Sequence, residues 1–223
     1  MSNNKFSKNN IKAVLFDLDG TIVDTERIYR SCWPIAFKQF GYDLTDEQAL
    51  YKRSLSQPYV YDYFKGLFGD QIDYDAIKNY CVTLVEDRLN AEGIKLKKGV
   101  KETLEYLKNT NLKTAIVTAS DVNRAEKYIS DLNILGYFDN IISTKLVKNG
   151  KPAKDVYIYA CNELNVEPFE CLAIEDSPHG ITSAYNAGCN VIMIPDQSLP
   201  TDDDKNKIVD CFDDMSKIID LLK

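Results

Sequence analysis

The sequence predicts an α/β protein: a doubly wound, Rossmann-like parallel sheet with an inserted all-helical domain. Short continuous apolar runs recur at 13–16, 114–117, 140–142, 171–174 and 191–194, the pattern of strands buried on both faces. Helical patterns lie between them, and that alternation is the signature of a parallel sheet. One long stretch, 25–98, breaks the alternation and carries helical periodicity alone.

The first run, Ala13-Val14-Leu15-Phe16, leads into Asp17-Leu18-Asp19-Gly20-Thr21, so two carboxylates follow a buried strand at its carboxyl end. Ligand sites of open parallel sheets lie at such ends. In the inserted stretch, Ile28, Cys32, Ala36 and Phe40 mark one helix face, and Ile77, Cys81, Leu84, Val85 and Leu89 another. Linkers at 23–25 and 94–99 divide the chain into a core of 1–24 and 99–223 and a helical cap of 25–98. Both crossings fall beside the first strand's carboxyl end, which places the cap to close as a lid and exclude water.

After Gly99, Val100, Leu104 and Leu107 fit one helix face. Thr118 follows the second strand, and Ser120 or Asp121 can cap the next helix. A hydroxyl beside free backbone N–H groups at a helix start suits a phosphoryl oxygen, while a turn or capping role for Thr118 stays open. Lys151 stands in a Gly150-Lys151-Pro152 turn, able to neutralise a nearby anion or to be solvated. Val156, Tyr159, Ala160 and Glu163 suggest the helix that follows. Glu175 and Asp176 end the fourth strand; adjacent carboxylates repel unless a cation or donors intervene, so they are candidate metal ligands. Ser177 as cap, Pro178 at the first helical position, Ile181, Ala184 and Ala187 on one face and Gly188 past the end define a further helix.

Composition narrows the function. With 223 residues, 44% hydrophobic and 27% charged, the chain can bury a core, and a net charge of -7 argues against nucleic acid as partner. A basic cluster, Lys5, Lys8 and Lys12, lies in a polar start without a signal-peptide pattern, and no run is long enough to cross a membrane. Cys32, Cys81, Cys161, Cys171, Cys189 and Cys211 are scattered without CxxC spacing, as reduced core thiols would be. The expectation is a cytoplasmic monomer acting on a small molecule. The 14 tyrosines are better explained by packing than by recognition.

The four strand-end groups together suit phosphoryl transfer through an aspartate. A carboxylate attacks phosphorus only where the repulsion of two anions is offset, which a hard divalent cation such as Mg²⁺ does. Asp17 is then the nucleophile, and Asp19, two residues on, reaches the same reacting group as general acid and later base.

With these motifs the chain resembles the haloacid dehalogenase superfamily over nearly its whole length. Asp-Leu-Asp-Gly-Thr is similar to the family's first motif, Thr118 to its second, Lys151 to its third and Glu175-Asp176 to its fourth. The resemblance implies Asp17 as nucleophile and metal ligand, Asp19 as acid/base with its backbone carbonyl on Mg²⁺, and Thr118 and the Ala119 N–H as phosphoryl binders. It further implies Lys151 as charge organiser, and Asp176 with Glu175 as the remaining metal anchors. The helical insert and the stretch Glu175 to Ile181 resemble the β-phosphoglucomutase-like branch. Where that mutase has a cap histidine the chain has Tyr29, and around 52–59 its basic residues are shifted from the mutase's phosphate-gripping arginine. Asp19 argues against the dehalogenase branch itself. The expected activity is Mg²⁺-dependent hydrolysis of a small phosphorylated metabolite, a sugar phosphate, with β-phosphoglucomutase and a catalytically silent binding protein as alternatives. Arg53, Ser54, Gln57, Tyr59 and Tyr61 are candidate cap contacts that also read as cap surface or core, and His179 as a residue of a helix's first turn.

Overall fold

The computed structural model describes residues 7–223, so Lys5 of the basic cluster lies outside the described residues. Strands β1 (Ala13–Phe16), β2 (Lys113–Thr118), β3 (Asn140–Ser143), β4 (Cys171–Glu175), β5 (Asn190–Met193) and β6 (Asp210–Cys211) form one parallel sheet in the order β3-β2-β1-β4-β5-β6. The apolar runs fall on the first five. The two-residue edge strand β6 has no run to announce it.

Strand β1 is central: Leu15 is paired with Ala115 on one side and Ala173 on the other, and all four of its residues are buried. The chain builds outward from β1 to β2 and β3, then returns to add β4, β5 and β6 on the other side. That reversal opens a crevice at the carboxyl ends of β1 and β4, where Asp17 and Glu175-Asp176 stand.

Because side chains alternate along a strand, β1 feeds two cores. Ala13 and Leu15 join Ala115, Val117, Ala173 and the inner face of α7 (Asp155–Glu163) and α8 (Pro178–Ala187). Val14 and Phe16 join α5 (Val100–Lys108), α6 (Val122–Asp131) and α10 (Lys217–Leu222) in a core that continues into the inserted helices. The short α9 (Asp202–Lys205) precedes β6.

The insert comprises α1 (Glu26–Gln39), α2 (Asp46–Tyr51), α3 (Tyr59–Phe68) and α4 (Tyr74–Glu92). Ile28, Cys32 and Ala36 of α1 and Ile77, Cys81, Val85 and Leu89 of α4 point inward, as their spacing requires. Phe37 is the packing centre, fully buried with Phe64 at 4.7 Å and Phe68 at 5.4 Å between ring centroids, so truncating it to Ala should cost about 3–5 kcal/mol. The insert leaves and re-enters the sheet side by side: Val23 bridges Leu96 antiparallel, Asp24 N donates to Lys95 O at 2.9 Å and Lys97 N to Ile22 O at 2.9 Å.

Two expected helix faces shift. Phe40 falls past the end of α1 and is 40% exposed. On α7 the inward face is Val156, Tyr157, Ala160 and Cys161, one step round from the expected one; Tyr159 is half-buried and Glu163 exposed. The phase there is set by packing on β2 and β3. All six cysteines are free, five of them buried. No helix among the described residues is long and apolar enough to cross a membrane.

Candidate active site

Asp17 emerges from β1 with its N–H donating to Ile174 O at 2.9 Å, so backbone pairing with β4 continues one residue beyond the strand. Gly20 holds φ +86°, and a Cβ there would press on the Asp176 carboxylate; glycine is what lets the turn pass so close. Asp17, Glu175 and Asp176 are buried, each offering an oxygen within 4.8 Å of the others'.

Lys151 lies among them with no exposed surface. Its ammonium donates to Asp17 Oδ1 at 2.6 Å, Glu175 Oε1 at 2.7 Å and Val117 O at 3.0 Å, which uses its three protons. Burial alone would lower its affinity for a proton, but the Asp17 and Glu175 carboxylates reverse this and hold it above the ordinary lysine range. Tyr157 OH adds a 2.6 Å bond to Glu175 Oε1.

The lysine does not neutralise the cluster. Glu175 Oε2, Asp176 Oδ1 and Asp176 Oδ2 are buried without hydrogen-bond partners. Burial pushes Asp17 up to about 8, Lys151 opposing and Glu175 adding, and pushes Asp176 well above the carboxylate range. Buried carboxylate oxygens with no donor fit a hard, oxygen-seeking cation such as Mg²⁺.

Asp19 stands apart from this group. Thr25 Oγ1 donates to Asp19 Oδ1 at 2.6 Å and Ser120 Oγ to Asp19 Oδ2 at 2.6 Å, so its side chain is held by hydroxyls instead of joining the three-carboxylate set. Thr118 Oγ1 accepts from Ser120 N at 2.9 Å, a turn that stacks Thr118, Ala119 and Ser120 on the cavity wall. Asp121 caps α6 by accepting from Asn123 N at 3.0 Å, leaving Ser120 free for Asp19.

The helices of the insert roof this cavity. Tyr29, Ser54 and Gln57 line it, as do Glu26, Trp33, Lys52, Lys78, Arg124 and Lys145. Arg53 does not: it is 3% exposed, and its Nη2 donates to Ser198 Oγ at 2.8 Å and to Asp176 O at 3.3 Å while Nε lies 3.6 Å from Asp176 Oδ2. The expected substrate contact is a strap from the insert to the core, because a buried guanidinium needs an anion beside it and the Asp176 carboxylate is there. Tyr59 and Tyr61 are also off the cavity wall; Tyr61 OH donates to Asp75 at 2.7 Å. The loop that carries Arg53 is stitched down further by Ser56 N to Lys151 O at 2.9 Å and Gly150 N to Gln57 O at 2.8 Å. His179, in the first turn of α8, contacts Tyr51 O through Nε2 at 2.9 Å.

Sequence reasoning missed the charged members of this wall. Burial pushes Glu26 up to about 7, with Asp19 adding, and pushes Lys52 down to about 8 against the pull of Glu26. The Lys52 ammonium sits 3.8 Å from the Trp33 ring centroid. A basic Lys52-Arg53 pair was a visible signal; nothing local marked Lys78 or Tyr157.

The family model described as "Haloacid dehalogenase-like hydrolase" matches residues 14–194. Over 183 residues the chain is 30% identical to a phosphorylated carbohydrates phosphatase of Thermotoga maritima, covering 80% of this chain and 82% of that one. It is 29% identical over 189 residues to hexitol phosphatase A of Escherichia coli, covering 82% of each. The crystal structure of CbbY from Rhodobacter sphaeroides in complex with phosphate shares the fold, with a TM-score of 0.77, 21% identity and coverage of 93% of this chain and 96% of that one.

Proposed function

The chain belongs to the haloacid dehalogenase-like hydrolase family as an enzyme of its phosphatase type, and we propose that it hydrolyses a small sugar phosphate with Mg²⁺ through an aspartyl phosphate on Asp17. The observation that carries this reading is the buried set of Asp17, Lys151, Glu175 and Asp176, with three carboxylate oxygens still lacking a donor. Asp17, Glu175 and Asp176 would hold the metal, with the Asp19 carbonyl as the family resemblance implies. A bound divalent cation supplies charge neutralisation between the attacking carboxylate and the phosphoryl group.

A carboxylate oxygen of Asp17 attacks phosphorus, the bond from phosphorus to the ester oxygen breaks, and Asp19 gives that oxygen its proton. Water then attacks the aspartyl phosphate, Asp19 takes the water's proton, and inorganic phosphate leaves with Asp17 restored. Thr118 and the Ala119 N–H receive phosphoryl oxygens, and Lys151 holds Asp17 in place against their charge. Residues 25–98 act as the cap over a core of 1–24 and 99–223, keeping water out until the first half is complete. Cytoplasmic residence agrees with six free thiols.

The test runs two assays on one preparation, phosphate release from sugar monophosphates and coupled conversion of β-glucose-1-phosphate to glucose-6-phosphate with glucose-1,6-bisphosphate present. Steady phosphate release with little isomerisation is expected. Isomerisation outpacing release by tenfold or more, about 1.4 kcal/mol in barrier, would make the enzyme a mutase.

A further inference from the structure

Tyr29 of α1, Lys78 of α4 and Arg124 of α6 meet on the cavity wall, each from a different helix. The Arg124 guanidinium lies 5.8 Å from the Tyr29 ring centroid, and its Nη2 donates to Ser120 Oγ at 3.3 Å. Tyr29 OH is buried without a partner, and so is Arg124 Nε. The carboxylates whose charge acts on Lys78 are engaged elsewhere: Asp75 accepts from Tyr61, and Asp121 pairs with Lys145 at 2.6 Å. Lys78 is held below the ordinary lysine range by burial first and then by the positive charges of Lys145 and Arg124.

The other cations around the cavity have counterparts. Lys151 pairs with Asp17 and Glu175, Lys52 stands against Glu26, and Lys145 has Asp121. Lys78 has no carboxylate of its own, and Arg124, which reaches toward Asp19 through Ser120, keeps its Nε without a partner; lysine and arginine have no acceptor to offer. The chemical complement of these donors is an oxyanion. The arginine expected to grip one, Arg53, is turned away to Asp176 and Ser198.

We propose that the substrate carries, besides the phosphoryl group that Asp17 receives, a second anionic group, a carboxylate or a phosphate, and that Tyr29, Lys78 and Arg124 bind it. This rests on the phosphatase reading above and narrows it to doubly anionic metabolites. A hydroxyl tail of the same size brings no charge to two buried-side cations and leaves their mutual repulsion in place.

The experiment measures kcat/KM for phosphate release from two matched pairs: 3-phosphoglycerate against glycerol 3-phosphate, and fructose 1,6-bisphosphate against fructose 6-phosphate. The generic ester p-nitrophenyl phosphate serves as reference. In at least one pair the more anionic member should be favoured tenfold or more, and which pair it is separates a carboxylate from a phosphate. Lys78→Met and Arg124→Met should each bring that ratio below threefold, and Tyr29→Phe should reduce it in part. Lys78 and Arg124 are only partly buried, so these truncations leave the hydrophobic cores intact. Trp33, the one tryptophan, lines the cavity, so its fluorescence in Asp17→Asn reads binding of the same four esters without turnover; the same preference should appear there and vanish on adding Lys78→Met. Equal kcat/KM within both pairs, with phosphate released, overturns the second anion and leaves the phosphatase standing. A preference that survives Lys78→Met and Arg124→Met overturns the residues assigned to it. No release from any ester, p-nitrophenyl phosphate included, removes the phosphatase reading and this inference with it.

Discussion

The Lys151 ammonium lies 2.6 Å from Asp17 Oδ1, neither side chain more than 3% exposed, although 134 residues separate them in the chain. Removing one partner of a buried ion pair leaves uncompensated charge, so Lys151→Met should destabilise the metal-free protein by about 3–5 kcal/mol above pH 8, where Asp17 is ionised, and by less at neutral pH, where Asp17 can take up a proton. Urea unfolding measures it, and a loss under about 1 kcal/mol would mean that Asp17 and Glu175 find other compensation.

Asp17→Asn should abolish turnover, since an amide cannot form the acyl phosphate. Asp19→Asn should slow it by roughly a hundredfold to ten-thousandfold, the span for losing a general acid/base. Rapid acid quench of wild type with substrate should find phosphate on Asp17. Full activity in Asp17→Asn would remove the nucleophile.

Mg²⁺ should raise the melting temperature of the wild type, because a ligand that binds only the folded state stabilises it, and Asp176→Ala should shrink that shift. Ca²⁺ should inhibit, its longer bonds and larger coordination number misplacing the attacking carboxylate. Activity unaffected by excess EDTA would exclude the metal from the reaction.

His179 offers a pH signature away from the chemistry. Burial lowers its pKa below 6.5, so the folded chain holds it neutral where the unfolded chain takes a proton. Its contribution to stability is therefore present above pH about 6.5 and lost as pH falls through and below that value. The stability difference between wild type and His179→Gln, followed by urea unfolding from pH 7.5 to 5, should shift against the wild type as pH drops. A flat difference would show that His179 titrates alike in both states.

Gly180 sits inside α8, where alanine normally gains about 1 kcal/mol. A Cβ here would run into the Glu175 carboxylate, which Lys151 and Tyr157 pin in place. Gly180→Ala should therefore lower the melting temperature and weaken the Mg²⁺-induced shift together. An alanine variant as stable as wild type would show that Glu175 is free to move aside.

The strands and the four strand-end motifs were legible because a buried parallel strand is a continuous apolar run and its functional residues follow directly after it. Asp17, Asp19, Thr118, Glu175 and Asp176 lie together for that reason, while Lys151, well past the end of β3 at Ser143, is brought in by the loop before α7. Arg53 misled because a basic residue in a cap loop says nothing about which way the loop folds; its partner, Asp176, is 123 residues away. Lys78 and Arg124 sit on solvent-edge positions of ordinary amphipathic helices, indistinguishable in sequence from any exposed lysine or arginine. Only docking the insert on the sheet turns them inward. Ser120 looked like a helix cap; the neighbouring Asp121 took that task, and the serine hydroxyl went to Asp19.

The paired crossings at Val23 and Leu96 carry an evolutionary consequence. A segment whose two ends are already bonded to each other can be lengthened, shortened or exchanged without moving the sheet that bears Asp17, since the junction keeps its geometry whatever hangs from it. Selection is thereby free to vary the helices above the cavity while the sheet that carries Asp17 keeps its form.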